Sequence, residues 1–137
     1  MHYPALTAVY GSILGLMFVA LSIWVVAGRA KSKVHHGDGG VDFLNRRIRA
    51  HGNFAEYVPL TLLLVGLIEA KGGAAATVHA TLAPLVVARL AHPIGMLMPV
   101  GSFRQYALRA TSVTVTWIVI AAASIILLAS GRVLVAA

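Results

Sequence analysis

Arg46-Arg47-Ile48-Arg49-Ala50-His51-Gly52-Asn53-Phe54-Ala55-Glu56 runs directly into an apolar stretch. Charged and amide side chains are costly at membrane depth, so a chain that sets them at the mouth of a span generally uses them. At 100° per residue Arg46, Arg49, Asn53 and Glu56 share one helical arc of about 80°, and Asp42 falls inside it. Two guanidiniums with acidic and amide groups on one stripe suit either of two tasks. They can bind a zwitterionic polar ligand, or they can clamp a neighbouring helix through hydrogen bonds between spans.

Two further segments carry candidate chemistry. Arg89 and His92 lie three residues apart, with Met96 one turn on, so the three share a helix face. Arg89 sits about two turns inside its span, where an arginine needs a partner. Glu56 is the carboxylate expected at that depth, which predicts an Arg89–Glu56 pair. His92 is either a ligand contact or an interhelical donor. Arg109 precedes Thr111, Ser112, Thr114 and Thr116, and Ser112 and Thr116 are expected on its face. A guanidinium there can stabilise a bound anion or thiolate, or snorkel to lipid phosphate. The adjacent His35 and His36 lack the carboxylate cluster of a metal site, and no metal ligand set is assigned. There is no phosphate-binding glycine motif, catalytic serine triad spacing or HExxH pattern.

The elements that hold these groups follow from composition. Of 137 residues 59% are hydrophobic and 11% charged, with a mean hydropathy of +0.86, whereas a soluble domain carries roughly a quarter charged residues. This is the composition of a membrane protein. No cysteine is present, which excludes disulfides, thiolate metal sites and a cysteine nucleophile. The net charge of +7 comes from basic residues beside apolar segments, a pattern of topology and anionic headgroups rather than of nucleic-acid binding.

Four spans are expected, over about 6–28, 54–69, 74–98 and 109–128, each near the roughly 20 residues that cross a bilayer. The first is read as a retained anchor rather than a signal peptide, because its apolar run is long and no basic segment precedes it. The second helix is predicted to begin near Asp42, with its first turns at the interface. Pro84 and Pro93 can each kink the third. Gly11, Gly15, Ala20 and Ala121 to Ala123 are expected to permit close helix approach. Arg29, Lys31, Lys33, Arg46, Arg47 and Arg49 crowd the first loop region, and Arg104 and Arg109 the third. The second loop has Lys71 and the tail Arg132. The positive-inside rule then puts loops one and three in the cytoplasm and both termini outside. The expected fold class is an all-α integral membrane four-helix bundle over 1–137.

Arg46-x-x-Arg49-Ala50-His51-x-Asn53-x-x-Glu56, followed by Pro59, resembles the signature of the membrane-associated proteins in eicosanoid and glutathione metabolism, the MAPEG family. Val87-Ala88-Arg89-Leu90-Ala91-His92 resembles that family's third helix, and Arg109 the arginine that opens its fourth. The resemblance covers the whole chain as one transmembrane domain. It implies a homotrimer holding glutathione, as co-substrate, between neighbouring subunits near the cytoplasmic surface. Carried over by position, Arg46 and Arg49 would shape the polar cavity, Asn53 and Glu56 would hold the tripeptide, and His92 and Arg29 would reach it. Arg109 would face the sulfur as the catalytic cation.

The implied activity is a glutathione transferase or peroxidase that acts on hydrophobic electrophiles arriving from the bilayer. A thiol of pKa about 8.5 is mostly protonated at neutral pH, and a nearby cation shifts it toward thiolate. The chain departs from the family at three positions. Where members with synthase activity often carry an arginine the chain has Gly52, and where they often carry tyrosines it has Met96 and Val113. A non-catalytic bundle whose stripe serves assembly or binds another anionic ligand is the alternative. A small multidrug transporter fits less well, because Leu6 to Gly28 contains no acidic residue.

Overall fold

The computed structural model describes residues 2–135, with side chains through Ser130, so Arg132 lies outside the described side chains. The chain forms four helices in sequence: α1 (Ala5–Ser32), α2 (Asp42–Ala70), α3 (Ala75–Leu97) and α4 (Phe103–Val135). All four are long and apolar enough to cross a membrane, and no strand occurs among the described residues.

The packing order decides where a site can form. α2 and α3 touch each other and both outer helices, whereas among the described residues α1 and α4 make no mutual contact. Leu14 and Leu21 of α1, Phe54, Val58 and Val65 of α2 and Leu82 of α3 form the core. Lipid is as apolar as these side chains, so close packing and polar contacts, more than water exclusion, hold such helices together. The outward face of α1 is correspondingly bare, with Val9, Leu16, Ile23 and Val26 exposed as lipid-facing residues.

Of the small residues expected at helix contacts, Gly11 stands against α2, a Cβ there lying 3.7 Å from Leu62 Cδ1, and Ala123 is fully buried in the core. A Cβ on Gly15 would meet nothing within 4 Å. One on Gly28 would meet Arg47 Cδ at 3.1 Å, and one on Gly95 would meet Leu108 Cβ at 2.9 Å. Gly28 lets α2 onto α1, and Gly95 lets α4 onto α3. α3 is unbroken through Pro84 and Pro93.

α4 starts at Phe103, six residues before Arg109. Ser102 Oγ accepts from the Gln105 amide at 3.2 Å, and Gln105 Oε1 accepts from the Gly101 amide at 2.9 Å. Ser102 thus caps α4, whereas Gln105 reaches back one residue past the cap, because the Ser102 amide already donates to the Pro99 carbonyl at 3.1 Å. Arg109 therefore lies in the second turn of the helix and does not open it.

Candidate functional site

One open cleft of about 390 Å³ lies between α2, α3 and α4, at the end of the bundle that carries the 1–2 and 3–4 connections. Arg49 and Asn53 line it from α2, His92 and Met96 from α3, and Tyr106, Arg109, Ala110 and Val113 from α4. Each contribution follows from helical spacing: i and i+4 on α2 and on α3, and i, i+3, i+4 and i+7 on α4. Four predicted site residues, Arg49, Asn53, His92 and Arg109, thus meet in one cavity. Arg49 and Arg109 are exposed, and neither forms a hydrogen bond or ion pair with the described residues.

Beneath the cleft lies Arg89, 1% exposed. Its Nη1 donates to Asn53 Oδ1 at 2.7 Å, and its Nη2 donates to the Ser112 carbonyl at 3.2 Å and to Thr116 Oγ1 at 2.6 Å. The expected Arg89–Glu56 pair is not formed. Asn53 stands between them on the inward face of α2, and Glu56, one turn on, is exposed. Ser112 and Thr116 likewise turn toward Arg89 and are buried. The face of Arg109 continues instead through Val113, and the two hydroxyls also donate back to the carbonyls of Leu108 and Ser112. In lipid, hydroxyls often satisfy themselves in this way, and here Thr116 accepts from the guanidinium as well.

Three predicted residues stay outside the cleft of the single protomer. Arg46 pairs with Asp42 at 2.8 Å and donates to the carbonyls of Met96 and Met98, at 3.3 and 3.0 Å. It ties the start of α2 to the end of α3, where the last helical carbonyls lack partners. Arg29 donates to the carbonyls of His35 and Gly37, at 3.4 and 2.7 Å, and organises the first loop. Glu56 Oε1 lies 3.9 Å from where a Cβ on Gly52 would stand, so its carboxylate lies back along α2 over that glycine.

Tyr106 was not foreseen. It is 74% exposed and brings a phenol to the rim of the cleft, and its place three residues before Arg109 is the signal that could have found it. Arg47, its guanidinium 5.0 Å from the Trp24 ring and 5.3 Å from Phe43, donates to the Trp24 carbonyl at 2.9 Å. It fastens α2 to α1 and leaves the cleft to its neighbours. Chemically, two free guanidiniums and an amide beside an imidazole make a site for an anionic, acceptor-rich ligand.

Comparison with known proteins identifies the family. The inner membrane protein YecN of Escherichia coli K12 is 32% identical over 111 residues, 81% of this chain and 81% of that protein. The same protein from Escherichia coli O6:H1 matches to the same extent. No solved structure gives a significant match. The sequence profile of the MAPEG family spans residues 7–129, which takes in every residue of the cleft and the whole of the Arg46 to Glu56 stripe. On that match, the chain is a membrane protein belonging to the MAPEG family.

Proposed function

We propose that this protein is a membrane-bound, glutathione-dependent transferase or peroxidase that activates the thiol of glutathione toward hydrophobic electrophiles. The observation that carries the reading is the convergence of Arg49, Asn53, His92 and Arg109 on one cleft, with both arginines unpaired. Glutathione carries two carboxylates and a thiol that ionises. Arg49 and Asn53 meet a carboxylate, and Arg109 faces the sulfur. A cation at that point favours the thiolate by about 1.4 kcal/mol for each unit of pKa lowering. The thiolate then attacks the electrophilic carbon, forming a carbon–sulfur bond as the bond to a leaving anion breaks, and no protein nucleophile takes part. With a hydroperoxide it attacks the distal oxygen, the O–O bond breaks and an alcohol leaves, and a second glutathione converts the sulfenic acid to the disulfide and water. His92, buried at the back of the cleft, serves as a hydrogen-bond partner.

The site is completed by a second copy of the chain. α1 takes no part in walling the cleft and does not touch α4, so Arg29 can reach the ligand only from a neighbouring protomer. Glu56 faces outward within a span, where an acidic side chain exposed to lipid costs about 3 kcal/mol. A neighbouring protomer, together with the ligand's amino group, covers it. A homotrimer, as the family resemblance implies, meets both needs. The positive-inside rule places the cleft on the cytoplasmic side, where glutathione is found.

A second reading has its own support. Arg46 and Arg29 are engaged by backbone carbonyls, and Met96 and Val113 line the cleft at two positions where the family resemblance implies tyrosines. A bundle that uses its stripe for assembly, or that binds another anion, would have these features. Glutathione titrated into the purified protein in detergent, read by binding and by thiolate absorbance near neutral pH, separates the two. Saturable binding with a thiolate signal absent in Arg109→Ala is the expected result. Absence of binding at millimolar glutathione returns the site to the assembly or other-anion reading.

A further inference from the structure

We propose that Arg89, which lies beneath the cleft and outside its lining, sets the cleft's polarity. It holds the Asn53 amide with its oxygen inward, so that only N–H faces the ligand, and its buried charge takes the ligand's anion as counter-ion. The inference rests on the cleft being a ligand site. The identity of the ligand as glutathione enters only through one of the probes.

The orientation of the amide follows from the chemistry of its partner. The two ends of an asparagine amide are distinguished by the hydrogen-bond network around them. A guanidinium has donors only, so the Asn53 atom 2.7 Å from Arg89 Nη1 is the oxygen. Asn53 has no other hydrogen bond among the described residues and lines the cleft, so its NH2 is the group left for a ligand. Without Arg89 the amide would be free to flip and present either an acceptor or a donor. With Arg89 it is a donor, like Arg49 and Arg109 around it, and the cleft rejects a ligand that offers a donor at that point.

The charge argument is independent of the orientation. All four acidic residues of the chain are accounted for. Asp42 pairs with Arg46, Asp38 accepts from the Gly40 amide in the first loop, and Glu69 accepts from the Leu6 and Thr7 amides at the far end of the bundle. Glu56 is exposed and makes no ion pair among the described residues. Three neutral oxygens hold the Arg89 fork, and its Nε has no partner. A buried cation without a counter-charge is strongly unfavourable, and its field is weakly screened in a low-dielectric interior. The groove that Arg89 borders between α1 and α3 is otherwise apolar, whereas the polar cleft lined by its partner Asn53 and by His92, one turn on, is where an anion would relieve it. Arg89 is therefore a positioning residue that touches the ligand only through Asn53 and through its field.

Asn53→Asp tests both halves at once. One carboxylate oxygen keeps the bond to Arg89 and neutralises it, which preserves the helix contact. The other oxygen presents a negative acceptor to the cleft. The variant is expected to melt no lower than the parent and yet to bind glutathione at least about a hundredfold more weakly, a loss that a merely structural Arg89–Asn53 contact would not produce. Arg89→Gln is the second variant. It keeps an N–H toward Asn53 and removes the charge, with an expected loss of about tenfold.

Affinity within threefold of the parent in Asn53→Asp overturns the proposal and leaves the glutathione reading standing. Unchanged affinity in Arg89→Gln overturns its charge half. Where the parent itself binds no glutathione, thermal protection by inorganic sulfate at matched ionic strength is the readout. Protection of the parent but not of Asn53→Asp sustains the inference while the glutathione reading falls. Equal protection of both, or of neither, overturns it.

Discussion

The two ends of the bundle hold similar polar groups and use them in opposite ways. At the end away from the cleft, the Glu69 carboxylate accepts from the first free amides of α1, Leu6 and Thr7, both at 2.8 Å. Tyr10 Oη lies 2.9 Å from His79 Nδ1, and the His2 amide donates to the Ala70 carbonyl. These groups meet needs that the protomer itself creates, chiefly the unpaired N–H groups at the start of a helix. At the cleft end Arg49 and Arg109 have no partner among the described residues, and Asn53 is engaged from one side only. The contrast separates polar groups that build the protein from polar groups left over for something else.

The largest effect that follows is on chemistry. Arg109→Ala is expected to lower the rate of glutathione conjugation by about a hundredfold or more, in the range seen when a single group that stabilises developing charge is removed. The protein should still fold, because the Arg109 guanidinium makes no hydrogen bond or ion pair among the described residues. A steady-state rate with a soluble electrophile such as a chloronitrobenzene, beside a melting curve in detergent, measures both. A variant that melts far below the parent would show Arg109 to be structural and would erase the contrast between the ends.

Next comes a substitution that reaches Arg109 through the packing. A Cβ at Gly95 would stand 3.1 Å from Arg109 Cγ and 3.2 Å from its backbone nitrogen. Gly95→Ala must therefore push α4 away from α3, at the cost of about 1–3 kcal/mol typical of overpacking. It should also weaken glutathione binding, since the cleft wall moves with the helix. Gly15→Ala, with open space around the same atom, is the control and should change neither.

How far the sequence reveals this division depends on the type of interaction. The spans and the cleft-facing pair Arg49 and Asn53 were legible, because hydropathy and helical period act along the chain and need no knowledge of partners. The Arg89 partner was misread because a buried cation was matched to the carboxylate at its depth. Depth does not say which way α2 is rotated, and that rotation puts Asn53 inward and Glu56 outward. The early start of α4 was written in Ser102-x-x-Gln105, a local signal passed over in favour of the charge at Arg109. The role of Glu69 as the cap of α1 was not legible at all, since it joins residues more than 60 positions apart.

That long-range cap supplies the matching test at the far end. Glu69→Gln keeps one acceptor, turns an NH2 toward the other helix-terminal amide and loses the charge, and it should destabilise the fold by about 1–2 kcal/mol, as expected for charge-assisted hydrogen bonds that are partly exposed. Thermal unfolding should register the change while glutathione affinity stays constant. A shift in affinity without a shift in stability would mean that the two ends are coupled and that the division between them is false.

The smallest expected effect is a gain. Val113 lines the cleft one turn beyond Arg109, at a position where the family resemblance implies a tyrosine. A phenol there would project into open volume rather than into the core, so the change should leave the melting temperature near that of the parent. One added hydrogen bond to a charged ligand group contributes roughly 1 kcal/mol, which corresponds to about fivefold tighter binding. Val113→Tyr is accordingly expected to raise glutathione affinity several-fold in a direct titration. Tighter binding would mean that the leftover groups at this end form an underfilled version of the family's site. Unchanged binding with an intact fold would mean that the ligand does not extend to this turn of α4, and that the anion held between Arg49, Asn53 and Arg109 is smaller than glutathione.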